Sequence, residues 1–357
     1  LKVAAMKERN LIEVDEPNLL EEFFDYSLPP KIRFDGPIYE EIDGKTVKFD
    51  PQEALARDLV ITDTTFRDGQ QARPPYTVEQ QVTLFDMMAR LGGPNGIVRQ
   101  TEFFLYTNND REALEQCRAL GHRYPEITSW IRADKSDFRL VKEAGVAETG
   151  MLTSSSDYHI FHKLKKDRRT AFNDYLEVVE AAWEAGIRPR CHLEDVTRAD
   201  IEGFVLPFVQ ELVKRSEQVA PELHVKIRLC DTMGFGISTP GVALPRSIPK
   251  LIYRMIDDAG VPPECLEWHG HNDFHKVHIN GATAWLCGCN AVNTTLFGFG
   301  ERTGNPPLEG AIIEYIAMKG DLCGIDTMAI QEMADYMRSI GVEIAPNYPF
   351  VGTDFNT

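Results

Sequence analysis

The sequence predicts an α/β fold of the (β/α)8 barrel class, with an N-terminal extension and the start of a C-terminal helical subdomain. Three observations predict it. From residue 58 onward, short β-rich runs alternate with amphipathic helical stretches at roughly 30-residue spacing, as βα units around a parallel sheet require. The polar residues concentrate at the C-terminal ends of these runs, where barrel active sites lie. No Gly-x-Gly-x-x-Gly follows the first run, which argues against the doubly wound open sheet.

Residues 1–57 are punctuated by Pro17, Pro29, Pro30, Pro37 and Pro51 and read as an extension that wraps a larger body. The barrel is expected over 58–320. Its strands are 58–66, 96–104, 126–132, 148–154, 188–194, 225–231, 265–271 and 291–297. Helices are expected near 77–91, 110–122, 136–144, 168–185, 200–218, 246–259, 274–287 and 307–319. Thr77 with Gln80 forms a capping box at the first helix. Gly145 and Gly186 follow helices as C′ residues. A further helix within 321–345 begins a subdomain spanning 321–357, which is expected to be truncated.

At 357 residues, 43% hydrophobic and 26% charged, the chain can build a self-supporting core. Its 55 acidic residues against 38 basic ones disfavour nucleic acid and anionic membranes as partners. No apolar run approaches the roughly 18 residues of a membrane span. The seven cysteines are odd in number and sit mostly in apolar stretches, which points to a reduced, cytoplasmic setting. Cys287-Gly288-Cys289 lacks a second ligand pair at zinc spacing and reads as core. The sequence opens Leu-Lys-Val and stops at Asp354-Phe355-Asn356-Thr357, so one or both natural ends are expected to lie outside it.

His269 and His271 are spaced i, i+2 at the end of the seventh strand, which puts both imidazoles on one face. Two imidazoles and one carboxylate make a three-ligand site for a divalent cation that leaves room for substrate. Asp68 is the best carboxylate, because it closes the first strand, which adjoins the eighth in a closed barrel. Such a set accepts manganese, zinc, cobalt or magnesium.

These residues carry a resemblance. Asp63-Thr-Thr-Phe-Arg-Asp-Gly-Gln-Gln71 is similar to the first signature of the DRE-TIM metallolyases, with Gln70 in place of the usual Glu. His269-Gly-His-Asn-Asp273 resembles their H-x-H-N-D signature, and Gly300-Glu-Arg-Thr-Gly-Asn305 the G-E-R-x-G-N of the condensing branch. That branch comprises the 2-isopropylmalate, homocitrate and Re-citrate synthases. Ser155–His159 with Lys163-Leu164, Glu194-Asp195 with Arg198, and Asp231-Thr-Met-Gly234 fill in weaker matches between about 58 and 320. The resemblance implies Asp68, His269 and His271 as metal ligands, with Asn305 a further or outer one. It implies catalytic roles for Arg67, Glu194 and Glu102, and places Thr232 and Gln71 at the substrate. It also implies a histidine after a P-x-V-G-x-x-x-F stretch; this chain carries Pro349-Phe-Val-Gly-Thr-Asp-Phe355 near its end, and no histidine follows in the sequence.

The implied reaction is a Claisen-type condensation of acetyl-CoA with a 2-oxo acid. Arg132, His159 and His192 near the strand ends could pair with a second carboxylate, favouring a dicarboxylate substrate. Arg99–Glu102, Arg190–Asp195 and Leu266–His269 are most similar to the Re-citrate synthase group, so oxaloacetate is the expected substrate. The alternatives are 2-oxoisovalerate, 2-oxoglutarate, or a metal-binding barrel without turnover. Lys163, Lys165, Lys166 and Arg169 form a basic cluster opening a helix and are a candidate CoA phosphate site. The resemblance implies a homodimer. The lyase branch lacks the Glu-Arg of Glu301-Arg302, and non-haem iron oxygenases place their ligands on a different β fold.

Overall fold

The computed structural model describes residues 31–71 and 73–354. Part of the expected extension, and Phe355, lie outside the described residues. What is seen of the extension is an antiparallel hairpin, β1 (Ile38–Ile42) with β2 (Lys45–Phe49), followed by helix α1 (Pro51–Ala56).

Eight parallel strands then close into a barrel: β3 (Val60–Asp63), β4 (Val98–Phe103), β5 (Glu126–Ile131), β6 (Glu148–Ser154), β7 (Arg188–Glu194), β8 (Lys226–Asp231), β9 (Leu266–Gly270) and β10 (Ala291–Thr294). Each pairs with its successor, and β10 pairs with β3 to close the ring. Helices α2 (Val78–Gly92), α3 (Asn108–Ala119), α4 (Phe138–Glu143), α5 (Arg168–Glu184), α6 (Leu206–Ser216), α7 (Ile248–Tyr253), α8 (Val277–Cys287) and α9 (Leu308–Lys319) surround it. Helix α10 (Met328–Ser339) packs beyond the barrel against α2. No helix among the described residues is long and apolar enough to cross a membrane.

Local chemistry explains the boundaries. The Thr77 hydroxyl accepts the Gln80 N–H at 3.2 Å while the Gln80 side chain accepts the Thr77 N–H at 3.1 Å, the expected capping box. Gly145 and Gly186 have φ of 60° and 70°, as C′ positions require. Five expected strands stop early, β4 and β9 by a single residue. At β3 the Asp63 carboxylate accepts the Thr65 N–H at 3.0 Å and its hydroxyl at 2.7 Å, a side-chain turn that ends the ladder and swings Arg67 and Asp68 over the barrel mouth. Strand β5 ends at Ile131, one residue before Arg132, and β10 ends three residues before Phe297. The helices expected at 200–218 and 246–259 each include one wide turn, at 201–205 and 254–258.

Two apolar layers hold the barrel: outward-facing strand residues such as Ile61, Leu229 and Trp268, and the inner faces of the helices. Cys287 and Cys289 are buried in this core, and all seven cysteines are free. The barrel interior is polar instead. Arg190, Arg228, Glu102 and Glu267 are each at most 4% exposed and interlock there. Arg228 meets Glu267 at 2.7 Å and Glu102 at 3.2 Å, and Arg190 meets Glu102 at 2.8 Å. Below them Glu148 meets Lys226 at 2.8 Å. Burial would raise Glu102, but Arg228, Arg67 and Arg190 hold it well below the usual carboxylate range.

A candidate metal centre at the barrel mouth

Asp68 from the short turn after β3, and His269 and His271 from the end of β9, converge on one point. The His269 Nε2 atom lies 3.2 Å from His271 Nε2 and 3.3 Å from Asp68 Oδ2, and His271 Nε2 lies 3.9 Å from Asp68 Oδ2. All three side chains are buried. The Asn293 side-chain oxygen takes His269 Nδ1 at 2.7 Å, which aims Nε2 inward. Asn305 comes from the loop after β10 and donates its amide to Asp68 at 3.0 Å. It can do so because residue 300 is glycine: a Cβ there would stand 1.8 Å from the Asn305 side-chain oxygen.

The donor set fits a divalent ion. Asp68 Oδ1 and Asn305 Oδ1 are buried without a hydrogen-bond partner among the described residues, which is costly unless something else binds there. Ions that bind nitrogen and oxygen at about 2.0–2.2 Å need neighbouring donors about 3.0–3.5 Å apart, close to the spacings seen. Burial, and then the adjacent His269, push His271 down to about 4, so it stays a neutral lone-pair donor near neutral pH. Burial would raise Asp68, but Arg67 and both imidazoles keep it below the usual carboxylate range and hence anionic.

A cavity of about 420 Å3 opens beside this cluster. Arg67 forms one wall. Its Nε donates to Glu102 at 3.0 Å, and its guanidinium lies 5.4 Å from the Trp130 ring centroid. His192 lies against the opposite strand, 3.5 Å from Glu102, and burial holds it far below the usual imidazole range. Both fit only because residue 150 lacks a side chain: a Cβ would come within 2.5 Å of His192 Nε2 and 2.9 Å of Glu102. Glu194 accepts from Lys163 at 2.8 Å and stands 3.0 Å from His159. Burial would raise Glu194, but those two partners and Ser154 bring it to about 2. Thr232 also lines the cavity, and its hydroxyl accepts the Asp195 N–H at 2.8 Å. Gln71 lies at the rim.

The structure brings together most of the residues singled out from sequence, but not all. Glu102 does not reach the cavity; it is 1% exposed beneath Arg67 and acts by holding it. Arg132 lies past the end of β5, where Asp137 binds it at 3.0 and 3.1 Å and the Tyr106 ring covers it, so it turns away from the site. Of the basic cluster only Lys163 borders the cavity. Lys166 pairs with Asp174 at 2.6 Å, and Lys165 and Arg169 are exposed. The N-terminus of α5 is capped by Asp167, which accepts the Thr170 N–H at 2.7 Å and supplies the negative charge that an anion would otherwise bring. Gln70 braces its own loop, accepting the Tyr76 N–H at 2.8 Å. Sequence reading passed over Trp130, Cys230 and Asn293 near the site, and Glu267 and Arg228 beneath it. A signal existed for the charged pair, since Glu267-His269-His271 and Arg228-Cys230-Thr232 are polar at alternate positions.

Residues 58–337 match the HMGL-like family. The chain belongs to that family. Among its relatives, the "Citrate (Re)-synthase" of Syntrophus aciditrophicus is 57% identical over 347 residues, covering 97% of this chain and 53% of that protein. The "Citrate (Re)-synthase" of Clostridium kluyveri is 48% identical, covering 97% and 74%. The chain thus spans about half the length of the first of these and three quarters of the second. The crystal structure of a hydroxymethylglutaryl-CoA lyase from Pseudomonas aeruginosa matches with a TM-score of 0.61 at 18% identity, over 80% of this chain and 96% of that one, which supports the barrel fold of this family member.

Proposed function

We propose that this protein condenses acetyl-CoA with oxaloacetate to give citrate and free CoA. The observation that carries the reading is the Asp68–His269–His271 cluster, with the unpartnered Asp68 and Asn305 oxygens, set beside Arg67 in the cavity wall. The names of the relatives at 57% and 48% identity support the choice of reaction.

Asp68, His269 and His271 would hold a divalent ion (manganese, zinc, cobalt or magnesium), with the free oxygen of Asn305 beside them. Such an ion supplies Lewis acidity to the carbonyl of a 2-oxo acid. Arg67, fixed by Glu102 and Trp130, presents its guanidinium where negative charge develops on that carbonyl oxygen. Glu194 stays anionic and orients His159 and Lys163 at the rim. A base removes a methyl proton from the acetyl thioester; the enolate carbon then adds to the keto carbon, whose π pair moves onto the oxygen facing Arg67 and takes up a proton, and water adds to the thioester carbonyl, breaking the C–S bond to leave a carboxylate and the free thiol. Arg67 and Lys163 in the wall, with Thr232 and Gln71, suit a second carboxylate. The apolar share is small (Trp130, Leu152 and Cys230) and gives no aliphatic pocket for a branched chain. The reading carries with it a reduced, cytoplasmic setting and a homodimer.

The test is thiol release from acetyl-CoA with a panel of 2-oxo acids, with and without chelator, on the full-length protein. Oxaloacetate-dependent, chelator-sensitive release is expected. Release with 2-oxoisovalerate or 2-oxoglutarate instead would reassign the substrate, and none with any acid would leave a metal-binding barrel without turnover.

A further inference from the structure

Beyond α10 the chain folds into a tight turn. The Tyr348 N–H donates to Ala345, the Gly352 N–H to Tyr348 and the Asp354 N–H to Pro346, at 2.8–2.9 Å. Arg338 of α10 donates to the Val351 carbonyl and ties the turn to the helix. This is the Pro349–Asp354 stretch that the condensation chemistry leaves without a role. It presents the Tyr348 hydroxyl to Glu309 at 2.7 Å, and sets the Tyr348 ring edge-on to Phe297, 6.0 Å between centroids.

Glu309 stands in the first turn of α9, 1% exposed. Its second oxygen accepts the Phe297 N–H at 3.0 Å. Phe297 is buried with φ 53° and ψ 24°, a left-handed conformation that a bulky residue keeps only when its surroundings enforce it. From there the loop runs directly to the metal centre. The Asn305 N–H donates to Gly298 at 3.0 Å, the Asn272 N–H to Gly304 at 2.9 Å, and the Asn305 amide to Asp68 at 3.0 Å.

We propose that Tyr348 and Glu309 are positioning residues: the turn beyond the barrel holds the loop after β10 in the conformation that delivers Asn305 to Asp68. This rests on the reading of Asp68, His269 and His271 as metal ligands. One buried carboxylate receives two donors, one from the tail and one from the loop. Removing the hydroxyl leaves a buried acceptor short of a partner and releases the restraint on Phe297.

The test compares Tyr348→Phe, which keeps the ring against Phe297, with wild type and with His269→Ala. Amide hydrogen exchange of the metal-free protein reads the loop, and Mn2+ binding by electron paramagnetic resonance reads the centre. In Tyr348→Phe the Phe297 and Asn305 amides should exchange about tenfold faster, and Mn2+ should bind about three- to tenfold more weakly, less than a direct contact to a ligand would cost. His269→Ala should lose Mn2+. If Tyr348→Phe matches wild type in both readouts while His269→Ala does not bind, the positioning role is overturned and the metal centre stands. If His269→Ala binds Mn2+ like wild type, the metal reading fails, and the proposal falls with it.

Discussion

In the interior of the barrel, Glu102, Glu148 and Glu267 each meet a guanidinium or ammonium group within 2.8 Å. At the mouth, the Asp68 carboxylate and the imidazoles of His269 and His271 crowd within 3.9 Å of one another, with Arg67 no nearer than 4.0 Å to Asp68. The same strands build both regions: β9 carries Glu267 inside and His269 above it, and β7 carries Arg190 inside and Glu194 above it. The difference teaches that buried polarity has two uses here. Below, charges neutralise one another and hold the barrel and Arg67 in place. Above, two imidazoles and a carboxylate converge instead, which is the arrangement the proposed metal site uses.

Substitutions should separate the two. The largest effect is expected from Asp68→Asn or His269→Ala, with turnover falling by about a thousandfold or more and Mn2+ binding lost. The circular dichroism spectrum and unfolding midpoint should barely change. A large loss of stability would place these residues with the structural layer. Next comes Arg228→Met, which strands Glu267 and Glu102 and should cost about 3–5 kcal/mol of stability in denaturant titration. If it is neutral, the interior charges are not a foundation. Arg67→Ala belongs to both regions and should lower kcat by about a hundredfold or more while Mn2+ affinity holds; an unchanged rate would remove its role at the carbonyl.

Smaller effects lie outside the barrel wall. Asp63 faces away from the interior, and burial raises it to about 6, against hydrogen bonds from Thr65 and Thr101. The folded state then binds more protons than the unfolded one between an ordinary 3.8 and about 6. Asp63 therefore favours folding below that window, and its contribution declines as pH rises through it. Asp63→Asn should flatten that slope in pH-dependent melting; an unaltered slope would show that other groups set it. Arg132→Ala, at a 65% exposed side chain, should change stability by no more than about 0.5 kcal/mol and leave KM for the 2-oxo acid alone. A rise in KM would bring it back to the substrate.

The strands and the convergence of Asp68, His269 and His271 were legible because both follow from periodicity. Alternation put His269 and His271 on one face, and ring closure brought Asp68 beside them. Arg132 and the Lys165–Arg169 cluster were misplaced for a different reason. Tyr106 and Asp137 hold Arg132, Asp174 takes Lys166, and Asp167 already caps the helix that the cluster opens; nothing in the spacing of the basic residues announces that. Trp130 was passed over because β5 stops one residue short of Arg132, so the inward position fell two residues earlier than expected. The Tyr348–Glu309 contact joins segments 39 residues apart and leaves no local trace.

Strand β9 has only five residues, yet alternation along it decides three destinations at once: Glu267 to the interior, Trp268 to the helices and His269 to the mouth. Deleting one residue ahead of Glu267 would exchange these destinations, driving an indole into the charged layer and an imidazole into the apolar shell. Frameshifted pairing of this strand would therefore abolish folding and chemistry together, which makes it a single point of failure for the whole molecule.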